Sequence, residues 1–504
     1  DTTGEPIIGA SIVEKGNTTN GTITDLDGNF SLKVPANATV VISYIGMKTQ
    51  EIAIKGKSKI DVTLSDDAKS LDEVVVIGYG TAKRKDITGS VASVNSETLA
   101  AIPVASATEA LQGKMAGVQI TTTEGSPDAQ MSIRVRGGGS ITQSNEPLFI
   151  VDGFPVESIS DIPPTDIESI DVLKDASSTA IYGARGANGV IIVTTKSGKE
   201  GKVSVSYNAY YAWKKVAKTL DVLSASDYTK WQYELAQLTN KNDDYIKYFG
   251  NYQDLDMYDN VATNDWQDLT FGRTGHSFNH NLSINGGSDK FKYSFSYSHI
   301  DDKAIMQMSD YARDNLNLKL NHKPLKNVSL DFSARFSKTK INGGGSNDAN
   351  SSLNTDKRLK YSLLYTPYPV PGISDALNAD EEDANSLLIN PLISLRDNDT
   401  RKERINYNLA GSITWEIIKD LKLKAEVGYD DYRNNADRYY GVTTYYVRNN
   451  VDDEDKSKPA ISFTRGTRTA FRSTNTLSYD FKKFFKNNKN HLNLLAGQEY
   501  IVTR

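Results

Sequence analysis

The 504-residue chain has no cysteine. That excludes disulfides, a thiol nucleophile and any metal site built on thiolates. Histidine is scarce as well, with His276, His280, His299, His322 and His491 the whole complement. None has ligand spacing. His276 and His280 are four apart, but on strand-like sequence rather than one helix face, so a structural role is expected for all five. No run reaches the roughly 18–20 apolar residues that a spanning helix requires. Net charge is −5 and the pI about 5.7, so there is no cationic excess to hold nucleic acid or an anionic bilayer surface. Mean hydropathy of −0.48 looks soluble. Membrane strands give similar averages, however, because apolar and polar residues alternate along them. Nothing in the sequence calls for a cofactor or a metal. Asp25, Asp27 and Asn29 superficially match a calcium loop, but Ala36 stands where its twelfth-position Glu belongs, so a hairpin turn is expected.

What is present is most informative at 163–196, PPTDIESIDVLKDASSTAIYGARGANGVIIVTTK. Ile167, Ile170, Val172 and Leu173 suit a buried strand. Asp175 occupies a helix N-cap position. Tyr182 ends the apolar face, and Gly183 falls where a helix end favours positive φ. Gly186 and Gly189 permit tight backbone, and Val190–Thr195 is strongly β-branched. The reading is strand, short helix over about 175–182, Gly-rich turn, strand. No nucleophile stands beside a base, so this is machinery rather than catalysis.

Composition divides the chain into four regions. Residues 1–64 hold short strands separated by Gly, Asn and Asp turns, the pattern of a small β-sandwich. Residues 65–80 are a polar linker interrupted by Val74–Ile77. A short apolar strand on a tether suits addition to a partner's sheet edge; the alternative is that it is merely the first strand of the adjoining domain. Residues 81–200 mix strands with short helices near 97–101, 106–113 and 175–182, an α+β domain. There, Arg134 and Arg136 alternate with Ile133 and Val135 and share a face, from which they are expected to reach carboxylates of a surrounding wall. Gly137-Gly138-Gly139 lacks the ending of a phosphate loop and reads as a tight turn.

Residues 201–504 alternate. In Phe291–Ser298 the odd positions are aromatic and the even ones Lys or Ser. Asn315–Asn321, Val328–Ser337, Phe278–Asn285, Ile405–Trp415 and Leu421–Asp430 repeat the pattern, each near the roughly 9–11 residues of a tilted membrane strand. Short connections (286–290, 323–327, 417–421) alternate with long ones (214–274, 341–400, 435–465), as turns and surface loops do in outer-membrane barrels. The 27 Tyr and 15 Phe fit aromatic girdles as well as an ordinary β-protein. The acidic runs at 380–383 and 452–455 read as solvated loop surface.

Several blocks in order resemble SusC-like TonB-dependent outer-membrane transporters: Asp72-Glu73-Val74-Val75-Val76-Ile77-Gly78-Tyr79-Gly80, Arg134-Val135-Arg136-Gly137, Asn145 to Gly153 (NEPLFIVDG), and the 163–196 stretch with Asp175, Tyr182, Gly183, Gly186, Asn188 and Gly189. The resemblance is specific over about residues 1–200. It implies a mainly β protein: a carboxypeptidase-regulatory-like sandwich (1–64), a linker and TonB box (65–80; Asp72, Glu73, Val74, Val75, Val76 and Ile77), a plug (81–200, with Arg134, Arg136, Gly137, Asp152 and Gly153 in its motifs) and antiparallel transmembrane barrel strands (201–504). It implies TonB and a SusD-like surface lipoprotein as partners, outer-membrane lipid around the strands, an oligosaccharide or a peptide as cargo, and the N-terminal domain in the periplasm. A precursor of this family carries a signal peptide and one more strand upstream, so Asp1 is expected to follow a cleavage or cloning boundary.

The strand count supports the same frame. About nine barrel strands are legible, the last over His491–Val502, whereas closed bacterial barrels have an even number. A plug requires a lumen of about 22 strands, so this chain is expected to be the N-terminal part of a longer transporter whose strands continue after Arg504. A surface adhesin would not need the TonB-box-then-plug order. A glycosidase would need two converging carboxylates, and no pair is singled out.

Overall fold

The structure is a computed structural model. It describes all residues but 1–5, 8, 45–46, 48, 65–73, 78–79, 84–90, 101–103, 123–127, 129–130, 139–143, 344–357, 372, 374–388, 445–446, 448–457 and 482–491. Asp72, Glu73, His491 and both acidic runs lie outside the described residues. The chain divides into two compact units, Asp1–Val91 and Ala92–Arg504.

In the first unit, β1 (Ser11–Glu14), β2 (Asn17–Ile23), β3 (Thr39–Ser43) and β4 (Gln50–Ala53) form an antiparallel sheet in the order β2-β1-β3-β4. Its core holds Ile12, Val40, Ile42, Ile54 and Leu64. The second layer comes from extended segments rather than a hydrogen-bonded sheet: Phe30, Leu32 and Val34 turn inward at alternate positions, as do Ile60 and Val62. Between them the Asp25 carboxylate accepts from the backbone N–H groups of Asp27 and Asn29, at 3.0 and 2.8 Å, and so closes the expected turn. Farther on, β5 (Val74–Ile77) pairs antiparallel with β6 (Gly80–Lys83).

The second unit starts with a central domain. β7 (Val91–Asn95), β10 (Leu148–Val151), β11 (Phe154–Val156), β12 (Ile167–Leu173) and β13 (Val190–Thr195) form a mixed sheet in the order β11-β10-β13-β12-β7. Within it β10 and β13 run parallel. β8 (Val118–Thr122) and β9 (Met131–Val135) pair separately. The apolar run of β12 is fully buried at Ile167, Ile170, Val172 and Leu173, and β13 is buried at Val190–Val193. Short helices α1 (Ser96–Ala100), α2 (Ala107–Ala110) and α3 (Ala176–Thr179) lie where sequence places them. The third is shorter than expected: Gly183, at φ 57°, breaks the run, and Ala180–Gly186 coils as 3₁₀ turns.

Nine long strands complete the unit as one antiparallel meander: β14 (Gly201–Lys214), β15 (Gly275–Gly287), β16 (Phe291–Lys303), β17 (Asp310–Leu325), β18 (Val328–Asn342), β19 (Asn398–Ile418), β20 (Leu421–Tyr440), β21 (Ala460–Asp480) and β22 (Asn493–Thr503). Each pairs with its chain neighbours, and β14 and β22 stand at the two edges. Period-2 patterning decides the faces: Leu316 is 40% exposed while its neighbours Asn315 and Asn317 are 6% exposed. Apolar and aromatic side chains therefore cover one face, and Ser, Asn and charged residues the other.

Several strands run farther than alternation predicted. β19 begins at Asn398 and β20 ends at Tyr440, inside segments read as loops. Their added turns carry charge on both faces, so the ladder continues where the hydrophobic alternation stops. Connections sort by length largely as expected. The exceptions are 304–309, short on the long side, and 481–492, long on the short side. The longest connection is folded: α4 (Ala225–Thr239), α5 (Asn242–Phe249) and α6 (Trp266–Phe271) lie within 215–274. Tyr228, Tyr245 and Phe249 there share a core with Tyr368 and Val370 of the 343–397 connection.

Candidate functional site at the central domain and strand wall

The polar face of the nine strands meets the central domain, and cations mark the contact. On β17, Arg313 donates to the carbonyl oxygens of Ser160 (2.9 Å) and Ala105 (2.5 Å), and Asn315 donates to that of Asp161 (2.7 Å). On β19, Arg404 grips Asp128 with two nitrogens, at 2.9 and 2.6 Å, and reaches Asp161 at 3.1 Å. That planar fork fits a carboxylate in a way a lysine cannot. On β21, Arg468 pairs with Glu157 at 3.3 Å. Arg472, also on β21, donates to the Gly153 carbonyl and pairs with Glu499 of β22 at 2.7 Å and Glu426 of β20 at 3.4 Å. Glu499 in turn meets Arg185 of the central domain at 3.3 Å.

The centre of this network is a two-residue hairpin turn. Asp152 and Gly153 join β10 to β11 with φ of 51° and 85°, the doubly positive geometry of a type I′ turn, for which Asp-Gly is a preferred pair. The Asp152 carboxylate accepts from the Thr195 N–H (2.9 Å) and hydroxyl (2.7 Å), and from Lys319 of β17 (2.7 Å). Lys319 also donates to the Thr195 carbonyl. Burial alone would raise the pKa of Asp152. The charges of Lys319 and Arg335 outweigh that effect, helped by hydrogen bonds from Lys319 and Thr195, and hold it below the ordinary aspartate value. Asp166 behaves in the opposite way. Burial raises it, despite hydrogen bonds from Ser296 and Asn281 and the charges of Lys196 and Arg313.

The remaining motif residues shape the central domain itself. The Asp175 carboxylate caps α3 by accepting from the Ser178 N–H at 2.8 Å. The Asn188 amide donates to the carbonyls of Ser144 (3.0 Å) and Glu146 (3.4 Å). Gly189 has φ 90°, and a Cβ there would lie 3.0 Å from the side chain of Val135. Gly186 sits over the Thr179 carbonyl, and Tyr182 is half-buried beside it. Arg134 and Arg136 depart from expectation. Both are exposed and form no ion pair among the described residues; Arg136, at φ 57°, leads instead into the turn at Gly137 (φ 104°). Apart from Arg185, which meets Glu499 of β22, the polarity is reversed: the wall supplies the cations and the central domain the acceptors. Sequence reasoning missed Arg313, Lys319, Arg404, Arg468 and Arg472. Their signal was a cation in the inward phase of an alternating strand. A cavity of about 470 Å³ remains between domain and wall, lined by Thr108, Asp128, Glu157, Arg335, Arg404 and Asp430 among others.

Residues 83–190 match the TonB-dependent Receptor Plug Domain, and residues 1–76 match the CarboxypepD_reg-like domain. The TonB-dependent receptor SusC of Bacteroides thetaiotaomicron is 42% identical over 323 residues, which are 62% of this chain and 30% of that protein. A TonB-dependent receptor of Formosa agariphila is 34% identical over 507 residues, 98% of this chain and 46% of that one. The chain belongs to the SusC-like TonB-dependent transporters. The solved RagAB peptide importer in its open-open state has the same architecture, with TM-score 0.67 and 26% identity over 85% of this chain and 49% of that one. The chain thus spans less than half the length of these relatives. The central domain is the plug, the nine strands are barrel strands, and the ion pairs above join plug to barrel wall.

Proposed function

We propose that this chain carries the gate and the coupling segment of a nutrient importer in the outer membrane of a Gram-negative bacterium, with residues 1–64 in the periplasm. The observation that carries this reading is the plug fastened to the polar face of the barrel strands by ion pairs, of which Lys319–Asp152 and Arg404–Asp128 are largely buried. Such a closure is stable at rest, because removing one partner of a buried pair costs about 3–5 kcal/mol. Opening it requires work from outside the outer membrane. Asp72–Ile77 is the handle on which TonB adds a strand. In support, Val74–Ile77 is a strand whose ladder partner is Gly80–Lys83, and among the described residues no strand pairs with its second backbone edge, where a partner could add. The folded helical connections on the long-loop side offer a platform for a SusD-like surface lipoprotein.

The cargo in this reading is an oligosaccharide, in keeping with the Tyr- and Trp-bearing long connections. Similarity to the RagAB peptide importer supports a peptide as the second reading. The test is Val75→Pro in the full-length transporter. Proline removes a pairing N–H from the handle, so energised uptake is expected to fall to the level of cells without TonB while surface display stays normal. Uptake at the unsubstituted rate would overturn the coupling role.

A further inference from the structure

We infer that the passage opens along the inner faces of β14 and β15, and that this side of the lumen takes a neutral, hydroxyl-rich chain. The inference rests on the transport reading above. It comes from the unevenness of the wall. From β17 to β21 the inner face presents Arg313, Lys319, Arg404, Arg468 and Arg472, each joined to the plug. Over β14 and β15 it presents Ser204, Ser206, Asn208, Asn279, Asn281 and Ser283, and these line a cavity of about 640 Å³, with Lys202 the one cation that the two strands bring to it. Among the described residues no charged side chain of β14 or β15 pairs with the plug. Their one direct anchor among those residues is Asn281, which donates to the Thr165 hydroxyl at 2.8 Å and hydrogen-bonds Asp166. Lys214 of β14 is held by Asp302 of β16, within the wall.

The two sides differ in what separation costs. A neutral hydrogen bond contributes about 1 kcal/mol, and water replaces it readily. Parting a buried ion pair costs several times that. A plug drawn from below therefore leaves β14 and β15 first and hinges on β17–β21. Opposite Asn281 the plug lining of this cavity includes Pro163, Pro164 and Thr165, beside Ser96, Val104, Ala105, Glu168 and Lys196. Two consecutive prolines lack N–H groups to bond the strands, which keeps that surface loosely held. Amides and hydroxyls can both donate and accept, so they match sugar hydroxyls and offer no counter-charge to an ionised chain. Of the charged residues that line the cavity, Lys199 pairs with Glu168 at 3.3 Å and Glu200 with Lys292 of β16 at 3.9 Å, while Lys196 and Lys202 line it as well.

The experiment uses the full-length transporter in energised cells. Two double variants, Thr165→Cys/Asn281→Cys and Asp161→Cys/Asn315→Cys, are each bridged by a short reducible dithiol cross-linker. The readout is uptake of a fluorescent neutral oligosaccharide and, separately, of an acidic peptide. With each bridged variant measured against its own reduced form, the expected result is loss of oligosaccharide uptake with the 165–281 bridge and no change with the 161–315 bridge. Retained uptake with the 165–281 bridge, or loss with the 161–315 bridge alone or with both, overturns the inference while the transport reading stands. Uptake of the peptide and not of the oligosaccharide overturns the assigned cargo class. If the reduced variants and the unsubstituted protein all fail to import, the transport reading falls and takes this inference with it. Surface display of each variant confirms folding, and Ser206→Trp, which fills the cavity from the wall alone, is expected to lower oligosaccharide uptake without any cross-link.

Discussion

Asp152 and Asp166 lie on one plug and face one wall, yet their ionisation has opposite consequences. The folded pKa of Asp152 is depressed, so its contribution is full above the ordinary aspartate value of about 3.9 and is lost as pH falls through the lower folded value. The folded pKa of Asp166 is raised, so its contribution is present below that ordinary value and lost as pH rises through the higher folded one. Asp152→Asn is therefore expected to loosen the plug at neutral pH by about 3 kcal/mol, since it leaves Lys319 buried without its carboxylate. Asp166→Asn is expected to tighten the plug at neutral pH and to change little in acid. Denaturant unfolding of the purified full-length protein across pH checks both. The expectation fails if the two variants shift the pH profile in the same direction.

At the scale of elements, the sequence was most legible where one physical demand acts alone. Val190–Thr195 is β-branched throughout and forms a strand over those same residues. Val328–Ser337 alternates, and β18 contains it. Legibility ended where environment changes along one strand. Beyond Tyr429 the outward positions of β20 become Asp431 and Arg433, which pair at 2.8 Å; the backbone ladder goes on without an apolar signal. The site was half legible. The tight turns at Gly137 and Gly189 declared themselves, with φ values few other residues adopt, whereas Asp152-Gly153 stood out only through the family resemblance. The clamping arginines did not, because an inward cation on a strand looks the same whether it meets water or a carboxylate 276 residues away, as Arg404 meets Asp128. Order in the long connections was not legible either, since their core joins segments distant in sequence. Tyr368 shows this: it contacts Tyr228 edge-on, with ring centroids 6.1 Å apart, and shares a 2.5 Å hydrogen bond with Thr229. Tyr368→Ala is expected to cost that cluster about 3–5 kcal/mol. Limited proteolysis should then cut within 215–274 while the strands stay protected; an unchanged cleavage pattern would show that the two connections do not depend on each other.

Across the whole molecule, the parts share one logic. In the proposed reading, the strand at 74–77 is the handle that precedes the plug, and the plug is fastened to the wall by charges that hold until work is done on them. In that reading, closure and readiness to open are compatible because, among the strands of this chain, the fastening is strong over β17–β21 and weak over β14 and β15. The most direct test is accessibility of the plug's buried surface during transport. Thr108 is 2% exposed and lines the cavity between plug and wall, and this chain has no native thiol to compete with a reporter there. In the full-length transporter, Thr108→Cys is predicted to react with a water-soluble maleimide in energised cells, and to stay protected when TonB is absent or when Val75→Pro is added. Equal labelling in energised and de-energised cells would contradict the account.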